Sequence, residues 1–265
     1  MGKKYFGKYF NAFLILFIFT GCRKEYENDN NVLALEPVAE MISVPTDYIN
    51  NSIEAVGGLE NWGKIKQLNF DCLVTYYQSN GSFYLTEQHY DIYPWSSSIQ
   101  ISGEEPQGRY IWQLSQGQFH ILEDNEQIRN SIVSNSNSCF AEAILNIYTI
   151  PARLLDNSYD FTRGNAPISV HGKLYYPVTR QNRNVGGNSF DESNAVFYQD
   201  TNNYVVDMIW FVCQNGDSFI LVQGYDYTEV QNRDIYIPSR IEIFGTDAQG
   251  MSQNKLIRIG INNNI

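Results

Sequence analysis

Three histidines are the side chains of this 265-residue chain best suited to proton transfer near neutral pH: His89, His120 and His171. A histidine acts as a general base when a carboxylate orients it beside a nucleophile. His89 and His120 fall in segments with strand-like alternation and His171 lies near a turn, so no spacing places two of them on one face. A hydrolase that pairs His171 or His120 with a carboxylate is therefore kept only as a third hypothesis.

Other catalytic and ligand-binding motifs lack a required residue. The segment "GGNSF" at 186–190 contains a serine but not the second glycine of a nucleophile elbow. The chain has neither a P-loop motif nor a G-x-G-x-x-G motif. No CxxC pair is present, and no acidic segment follows the EF-hand order of ligands. The sequence thus predicts no catalytic residue, no cofactor and no metal site.

The first 21 residues have the composition of an export signal. Lys3, Lys4 and Lys8 precede an uninterrupted apolar run at 12–19. A membrane-spanning helix needs about 20 apolar residues, so this run is too short to cross a bilayer. A basic start, a short apolar run and small residues at its end are typical of a secretory signal peptide.

The tetrapeptide "FTGC" at 19–22 resembles the lipobox of bacterial lipoproteins, although leucine is more usual at the position of Phe19. In that family the cysteine receives a diacylglycerol, the preceding peptide is removed, and the new amino terminus is acylated, often with palmitate. The resemblance implies a signal peptide at 1–21 and lipidation of Cys22, and several acyl chains suffice for stable anchoring. Plain secretion and an uncleaved anchor are the alternatives.

The residues after Cys22 indicate where such an anchor would lie. Arg23 follows the cysteine where lipoproteins retained in the inner membrane typically carry aspartate, so the chain resembles those sent to the outer membrane, facing the periplasm or the cell surface. Residues 22–45 begin with an acidic, asparagine-rich segment that has little to bury, which predicts a flexible tether. The folded domain is then expected at 46–265.

Charge and cysteine content set further limits. Without residues 1–21 the chain has 15 basic and 29 acidic residues, a net charge near −14. Such an acidic surface repels phosphate backbones, which excludes nucleic acid as an expected partner and leaves the lipid as the link to the membrane. Cys72, Cys139 and Cys213 remain after lipidation, and this odd number leaves at least one thiol free or paired between molecules. Buried thiols with at most one disulfide among them are expected, but the spacing does not assign a pair.

Most of the domain has the alternation of β-strands. Aromatic residues make up 14% of the chain, which favours strands. From Leu68 onward, period-two segments flank turn sequences at Asn80-Gly81, Gly117, Asn215-Gly216 and 248–250. Strands of eight to twelve residues joined in this way predict an antiparallel meander.

Two segments have helical spacing. Thr46 is expected to cap a first helix whose apolar face carries Ile49, Ile53 and Val56, and Gly57-Gly58 is expected to end it. The segment 138–158 is apolar nearly all round and contains Pro151, which predicts two short helices buried against a concave sheet.

Large rings recur at alternate positions of successive predicted strands, and two interpretations of them stay open. They are either a filled core or the lining of a cavity for an acyl chain or another apolar ligand. The candidate cavity residues are Tyr93, Trp95, Tyr110, Trp112, Trp210, Phe140 and Ile144.

The order of these segments is similar to that of the superfamily of LolA, LolB and LppX. The resemblance rests on "AVGGLENWGKIKQL" at 55–68, "IPARLLD" at 150–156 and "YDYTEVQNRDIYIPSRIEIF" at 225–244, and it covers roughly residues 47–265. It implies a mainly β fold, an antiparallel, unclosed half-barrel covered by helices, with a hydrophobic cavity for acyl chains. The predicted anchor places the chain nearer the anchored members LolB and LppX.

Two hypotheses of different classes therefore precede the hydrolase. The first is a lipid-anchored, non-enzymatic envelope protein that binds a lipid or lipoprotein acyl chain in the half-barrel. The second is a structural or interaction lipoprotein that binds no ligand, because its own helix fills the concave face. The space between the 138–156 helices and the sheet distinguishes them.

Overall fold

The computed structural model describes residues 46–105, 108–123, 126–128, 131–183, 195–213 and 218–262. All of them belong to one compact unit, residues 35–265. The predicted signal peptide at 1–21, the lipidation site at Cys22 and the tether at 22–45 lie outside the described residues, as does the predicted turn at Asn215-Gly216.

The domain starts with two short helices in place of the single predicted one. α1 spans Asp47–Glu54 and α2 spans Gly58–Trp62. Thr46 occupies the N-cap position of α1 but makes no side-chain capping hydrogen bond. Gly57, with φ of 114°, is the N-cap of α2, and Gly58 is the first residue of that helix. The Gly57-Gly58 pair therefore starts a second helix, whereas the prediction had the helical region end there. The predicted apolar face of α1 is confirmed, since Ile49, Ile53 and Val56 are buried.

Fourteen strands follow in the described part of the chain. The first eight are β1 (Leu68–Tyr77), β2 (Phe83–Tyr93), β3 (Ser98–Glu105), β4 (Gly108–Ser115), β5 (Gln118–Glu123), β6 (Glu126–Ile128), β7 (Tyr159–Arg163) and β8 (Ile168–Val170). The remaining strands are β9 (Lys173–Asn182), β10 (Ala195–Asp200), β11 (Val206–Val212), β12 (Phe219–Glu229), β13 (Tyr236–Thr246) and β14 (Ser252–Ile261).

The strands form one antiparallel sheet that does not close. Its order is β6-β5-β4-β3-β2-β1-β14-β13-β12-β11-β10-β9-β7, with β8 also paired to β9. The first and last strands, β1 and β14, pair in the middle of the sheet, and Val74 lies opposite Ile259 there. The edges are β6 and β7, which do not pair with each other. The predicted fold class, a mainly β, unclosed half-barrel with helices, is confirmed.

The long helix inserted between β6 and β7 covers the concave face. α3 spans Ser131–Tyr148, so it begins seven residues before the predicted start at Ser138. α4 spans Ile150–Leu154 and carries Pro151 in its first turn, where the missing N–H costs no helical hydrogen bond. The predicted division into two helices is confirmed. α3 packs against β3, β4 and β5 on one side and against β11, β12 and β13 on the other.

The sheet carries apolar clusters on both faces. The main core lies on the concave face and joins all four helices to residues such as Phe70, Ile92 and Phe211. The second, smaller cluster consists of Tyr175, Met208, Trp210 and Leu221. Because successive side chains of a strand point to opposite faces, Phe211 and Trp210 belong to different clusters.

Candidate functional site

The C-terminal half of α3 fills the centre of the concave face. Ala143, Ile144, Leu145, Ile147 and Tyr148 are all buried within the main core. The ring of Tyr148 meets the ring of Phe70 edge to face, with centroids 5.0 Å apart. In this part of the half-barrel the helix itself therefore occupies the space that an apolar ligand would need.

A pocket of about 370 Å³ lies beside residues 136–140 of α3. Phe140 of α3, Ile220 of β12 and Leu256 of β14 bring apolar side chains of the main core to this pocket. The pocket is also lined by Ser136, Cys139, Cys213, Ser218, Phe219, Gly245, Thr246 and Gln253. Apolar groups towards the core and polar groups at the rim suit an amphipathic ligand.

A disulfide forms part of the wall of this pocket. It joins Cys139 of α3 to Cys213, the residue after β11, and the two Cα atoms are 5.3 Å apart. The third cysteine, Cys72 on β1, is free and buried. Burial, and secondarily the charge of Asp71, raise the pKa of the Cys72 thiol far above its ordinary value, so this thiol stays protonated.

Five of the seven candidate cavity residues lie on or near the concave side. Ile144 belongs to the main core, and Trp95, Trp112 and Phe140 are partly buried against it. Tyr110 is buried with its ring centroid 5.3 Å from that of Trp112. Of these residues, Phe140 lines the pocket beside α3.

The other two candidate residues lie on the opposite face. Trp210 stacks on Phe219 in the second cluster, and its Nε1 donates a hydrogen bond to Oγ1 of Thr246 at 2.9 Å. Tyr93 follows the buried Ile92 on β2, so its side chain points away from the concave face. The sheet therefore separates Trp210 and Tyr93 from the other rings, and the seven residues do not form one continuous wall.

A buried polar network that the sequence did not indicate lies at the edge of the main core. Gln88 of β2 donates hydrogen bonds to the hydroxyl oxygens of Tyr76 at 2.9 Å and Tyr110 at 2.7 Å. Its Oε1 accepts a hydrogen bond from the hydroxyl of Tyr90 at 2.8 Å. Because Gln88 is buried, these bonds replace water for its amide group.

Three polar atoms of α3 are buried without a hydrogen-bond partner among the described residues: Oγ of Ser138, Nδ2 of Asn146 and the hydroxyl of Tyr148. Burial raises the pKa of Tyr148 well above its ordinary value, so the hydroxyl stays protonated as a potential donor. An unsatisfied buried polar group costs stability, so α3 is less favourably packed than its apolar contacts alone suggest.

The three histidines lie on three different elements: β2, β5 and the turn between β8 and β9. Nδ1 of His89 lies 2.6 Å from Oδ1 of Asp71, and Nε2 lies 3.0 Å from the amide of Asn69. These contacts use both ring nitrogens of His89 on an exposed face. His171 is exposed at the turn between β8 and β9, and His120 lies on β5. The described residues also contain no group of three His, Cys, Asp or Glu side chains placed to hold a metal ion.

A charged cluster ties β9, β10 and β11 together. Nζ of Lys173 lies 2.6 Å from carboxylate oxygens of both Asp200 and Asp207. Burial would raise the pKa of Asp200, but hydrogen bonds from Lys173 and from the backbone N–H of Asn202 lower it below its usual range. For Asp207 burial prevails over the contact with Lys173, and its pKa is raised. These contacts form an ion-pair network that links three neighbouring strands.

Large apolar side chains are exposed at the tip of the β1–β2 hairpin. Phe83, Tyr84 and Leu85 are 59%, 45% and 53% exposed. Nζ of Lys255 lies 5.9 Å from the ring centroid of Tyr77, which places this hairpin beside β14 and thus at the same end of the sheet as the pocket. Exposed apolar groups of this size are typical of contact surfaces.

Comparison with solved structures shows a shared fold. The chain is similar to a LolA superfamily protein from Nitrosomonas europaea, with a TM-score of 0.54, 10% identity, and coverage of 83% of this chain and 93% of that one. A DUF1329 family protein from Desulfovibrio piger has a TM-score of 0.45 and 10% identity, over 82% and 90% of the two chains. A putative outer membrane lipoprotein-sorting protein domain from Vibrio parahaemolyticus has a TM-score of 0.42 and 10% identity, over 81% and 92%.

No protein-family model matches the sequence, and no curated protein matches it significantly. The likeness to the Nitrosomonas protein therefore shows the fold, a LolA-like half-barrel, and the fold alone. Within the described residues, no helix has both the length and the apolar composition needed to cross a membrane.

Proposed function

We propose that the protein is a non-enzymatic protein of the cell envelope that binds a lipid or a lipoprotein acyl chain in its half-barrel. The observation that carries the proposal is the pocket of about 370 Å³ between α3 and the sheet, with Phe140, Ile220 and Leu256 at its inner side. Ligand pockets span roughly 300–1,000 Å³, and the volume of this pocket falls in the lower part of that range. Its exposed lining combines polar and apolar groups in similar amounts, which suits an amphipathic ligand.

Binding would be driven by removal of apolar surface from water, worth about 25 cal/mol per Å². Beyond the pocket, α3 is buried from Ala143 to Tyr148 and leaves no room for a ligand in the present conformation. A long acyl chain therefore requires α3 to move, while a short one fits the pocket as it stands. The unsatisfied polar atoms of α3 lower the free-energy cost of that movement.

The cellular location belongs to the same proposal. The lipobox-like sequence before Cys22 supports export and lipidation, and Arg23 supports transfer to the outer membrane. The fold shared with a LolA superfamily protein supports a role in the envelope. The anchor would hold the half-barrel close to a source of acyl chains.

Native mass spectrometry of the Cys22→Ser chain, which cannot be lipidated, tests the proposal. We expect a co-purified species whose mass matches a lipid and which organic solvent extracts. Leu256→Trp places a larger side chain in the pocket and should reduce the bound fraction at least fivefold. Leu174→Trp is the matched control, because Leu174 is 50% exposed on β9 and does not line the pocket. Equal lipid content in both variants would contradict the proposed site.

The second candidate function is a structural or interaction lipoprotein that binds no ligand. The complete burial of α3 from Ala143 to Tyr148 favours it, because the helix there replaces a ligand in the concave face. The same experiment separates the two functions. A ligand-free protein that also fails to bind added fatty acid or phospholipid would support the second.

A further inference from the structure

We propose that the Cys139–Cys213 disulfide is a redox-controlled latch that holds the N-terminal half of α3 over the pocket; the proposal rests on the lipid-binding function. The disulfide joins the cover to the sheet at the pocket itself, since both cysteines line it. Oxidised, the latch keeps the pocket at its present size. Reduced, it lets the helix move away from β11 and opens the way towards the concave face.

The packing of α3 changes along its length in the way that a latch requires. From Ala143 onward the helix is buried and continues into Thr149, whose Oγ1 donates a hydrogen bond to the carbonyl of Leu145 at 2.6 Å. Near the pocket, Ser136 is exposed and Phe140 is only partly buried. Around the pocket, α3 is therefore less buried at Ser136 and Phe140 than at 143–148, and the disulfide links this part of the helix covalently to the sheet.

Ser138, the residue before Cys139, also has a buried hydroxyl group that lacks a hydrogen bond. Oγ of Ser138 is buried without a hydrogen-bond partner among the described residues. Movement of this part of the helix into water would hydrate that hydroxyl, and the gain offsets part of the free energy needed to expose the ring of Phe140. Covalent attachment at Cys139 opposes the same movement.

A reductant can reach the disulfide through the pocket. The two cysteine residues are buried overall, at 5% and 3% exposure, but both line the pocket, as do the exposed residues Ser136 and Ser218. Cys72 is fully buried on β1 with a raised pKa, so it offers no thiolate for internal exchange. The Cys139–Cys213 pair therefore has two states, the disulfide and the two thiols, and does not exchange with Cys72.

The reductant belongs to the class of dithiols. One of its thiolates attacks the sulfur of Cys139 or Cys213, the protein S–S bond breaks, and the departing thiolate takes up a proton. The second thiol of the reductant then attacks the mixed disulfide and releases the other cysteine as a thiol. The protein gains two electrons and two protons, and the dithiol leaves as its own disulfide.

Two readouts test the latch on the Cys22→Ser chain, before and after treatment with dithiothreitol. Hydrogen exchange of the backbone amides measures the opening of α3 without any ligand. Stopped-flow fluorescence measures the association rate of a 16-carbon fatty acid that carries a dansyl group. We expect reduction to increase exchange in 131–142, to leave 143–148 protected, and to raise the association rate about tenfold.

Variants separate the latch from other effects of the reductant. The double variant Cys139→Ser/Cys213→Ser should exchange and bind like the reduced protein, with or without dithiothreitol. Cys72→Ala, which leaves the disulfide intact, should respond to dithiothreitol as the unmodified chain does. A circular dichroism spectrum that stays unchanged on reduction confirms that the sheet remains folded.

The outcomes distinguish failure of the latch from failure of the proposed function. Equal exchange in 131–142 in the oxidised and reduced forms, or equal association rates, would overturn the latch even if the fatty acid binds. Increased exchange in 131–142 without fatty-acid binding in any form would support a mobile cover but refute the lipid-binding function.

Discussion

Gly57 packs directly against the carbonyl group of Asp234, where the link between α1 and α2 meets the turn between β12 and β13. A Cβ added to Gly57 would overlap the carbonyl oxygen of Asp234, and the φ of Gly57 is 114°. The adjoining backbone is hydrogen-bonded as well, since Tyr236 N–H donates to the carbonyl of Val56 at 3.0 Å. This contact fixes the two N-terminal helices to the sheet.

Substitution of Gly57 is therefore expected to destabilise the domain. Gly57→Ala should lower the free energy of unfolding by about 3 kcal/mol or more, because alanine fits neither the backbone conformation nor the close approach to Asp234. Chemical denaturation of the purified domain measures the change. Gly81→Ala is the matched control, with a φ of 82° and no atom within 4 Å of the added Cβ, and should cost only about 1 kcal/mol. Equal losses would contradict the packing argument.

The two aspartates at Lys173 should respond differently to neutralisation. Asp200→Asn removes a carboxylate whose pKa is lowered in the folded protein, and should cost about 2 kcal/mol of stability at pH 7. Asp207→Asn removes a carboxylate whose pKa is raised, so its ionisation already opposes folding, and the loss should be smaller. Denaturant unfolding at pH 7 measures both; a larger loss for Asp207→Asn would contradict the assignment.

Asp200 and Asp207 should also change the pH dependence of stability in opposite directions. The contribution of Asp200 is present above its unfolded-state pKa, near 3.9, and is lost as the pH falls through its lower folded pKa. Asp207, with a raised folded pKa, loses stability as the pH rises from the unfolded to the folded value. In Asp207→Asn, stability should therefore rise more steeply than in the unmodified chain as the pH increases above about 3.9, the unfolded-state pKa. Parallel profiles would contradict this expectation.

Loss of the Gln88 amide should disrupt the tyrosine network. Gln88→Leu keeps the approximate size but removes both hydrogen bonds donated to Tyr76 and Tyr110 and the one accepted from Tyr90. We expect a loss of about 2 kcal/mol in unfolding free energy, because the three tyrosine hydroxyl groups lose their hydrogen bonds to Gln88. Gln113→Leu on β4 is the control, since Gln113 is only half-buried and makes one side-chain hydrogen bond, to Gln100. A smaller loss for Gln88→Leu than for Gln113→Leu would exclude a structural role for the network.

The hairpins were predictable from the sequence because local chemistry determines them. Asn80-Gly81 suits a tight turn, and the flanking alternation matches the burial of β1, where Leu68, Phe70 and Cys72 are buried. The Gly57-Gly58 pair was assigned wrongly as a helix end, because a left-handed glycine serves equally well between two helices. β7, β8, β9 and β10 were not delimited, since their polar and aromatic residues give a weak alternation.

The site was less predictable, because its residues come from strand ends distant in sequence. Phe140 was found from its helical spacing, whereas Ile220 and Leu256 join the pocket only through the pairing of β12, β13 and β14. The face of Trp210 could not be predicted, because all seven residues of β11 are buried and alternation disappears there. Three cysteines allowed several pairings, and only the fold brings Cys139 to Cys213.

Photo-crosslinking with a fatty acid that carries a diazirine group tests the central claim most directly. The Cys22→Ser chain is loaded, irradiated and digested, and the labelled peptides are located by mass spectrometry. The expected result is label on peptides that contain Phe140, Ile220 or Leu256, abolished by excess unlabelled fatty acid and reduced by Leu256→Trp. Label confined to the exposed hairpin at Phe83, or spread without competition, would contradict acyl-chain binding beside α3.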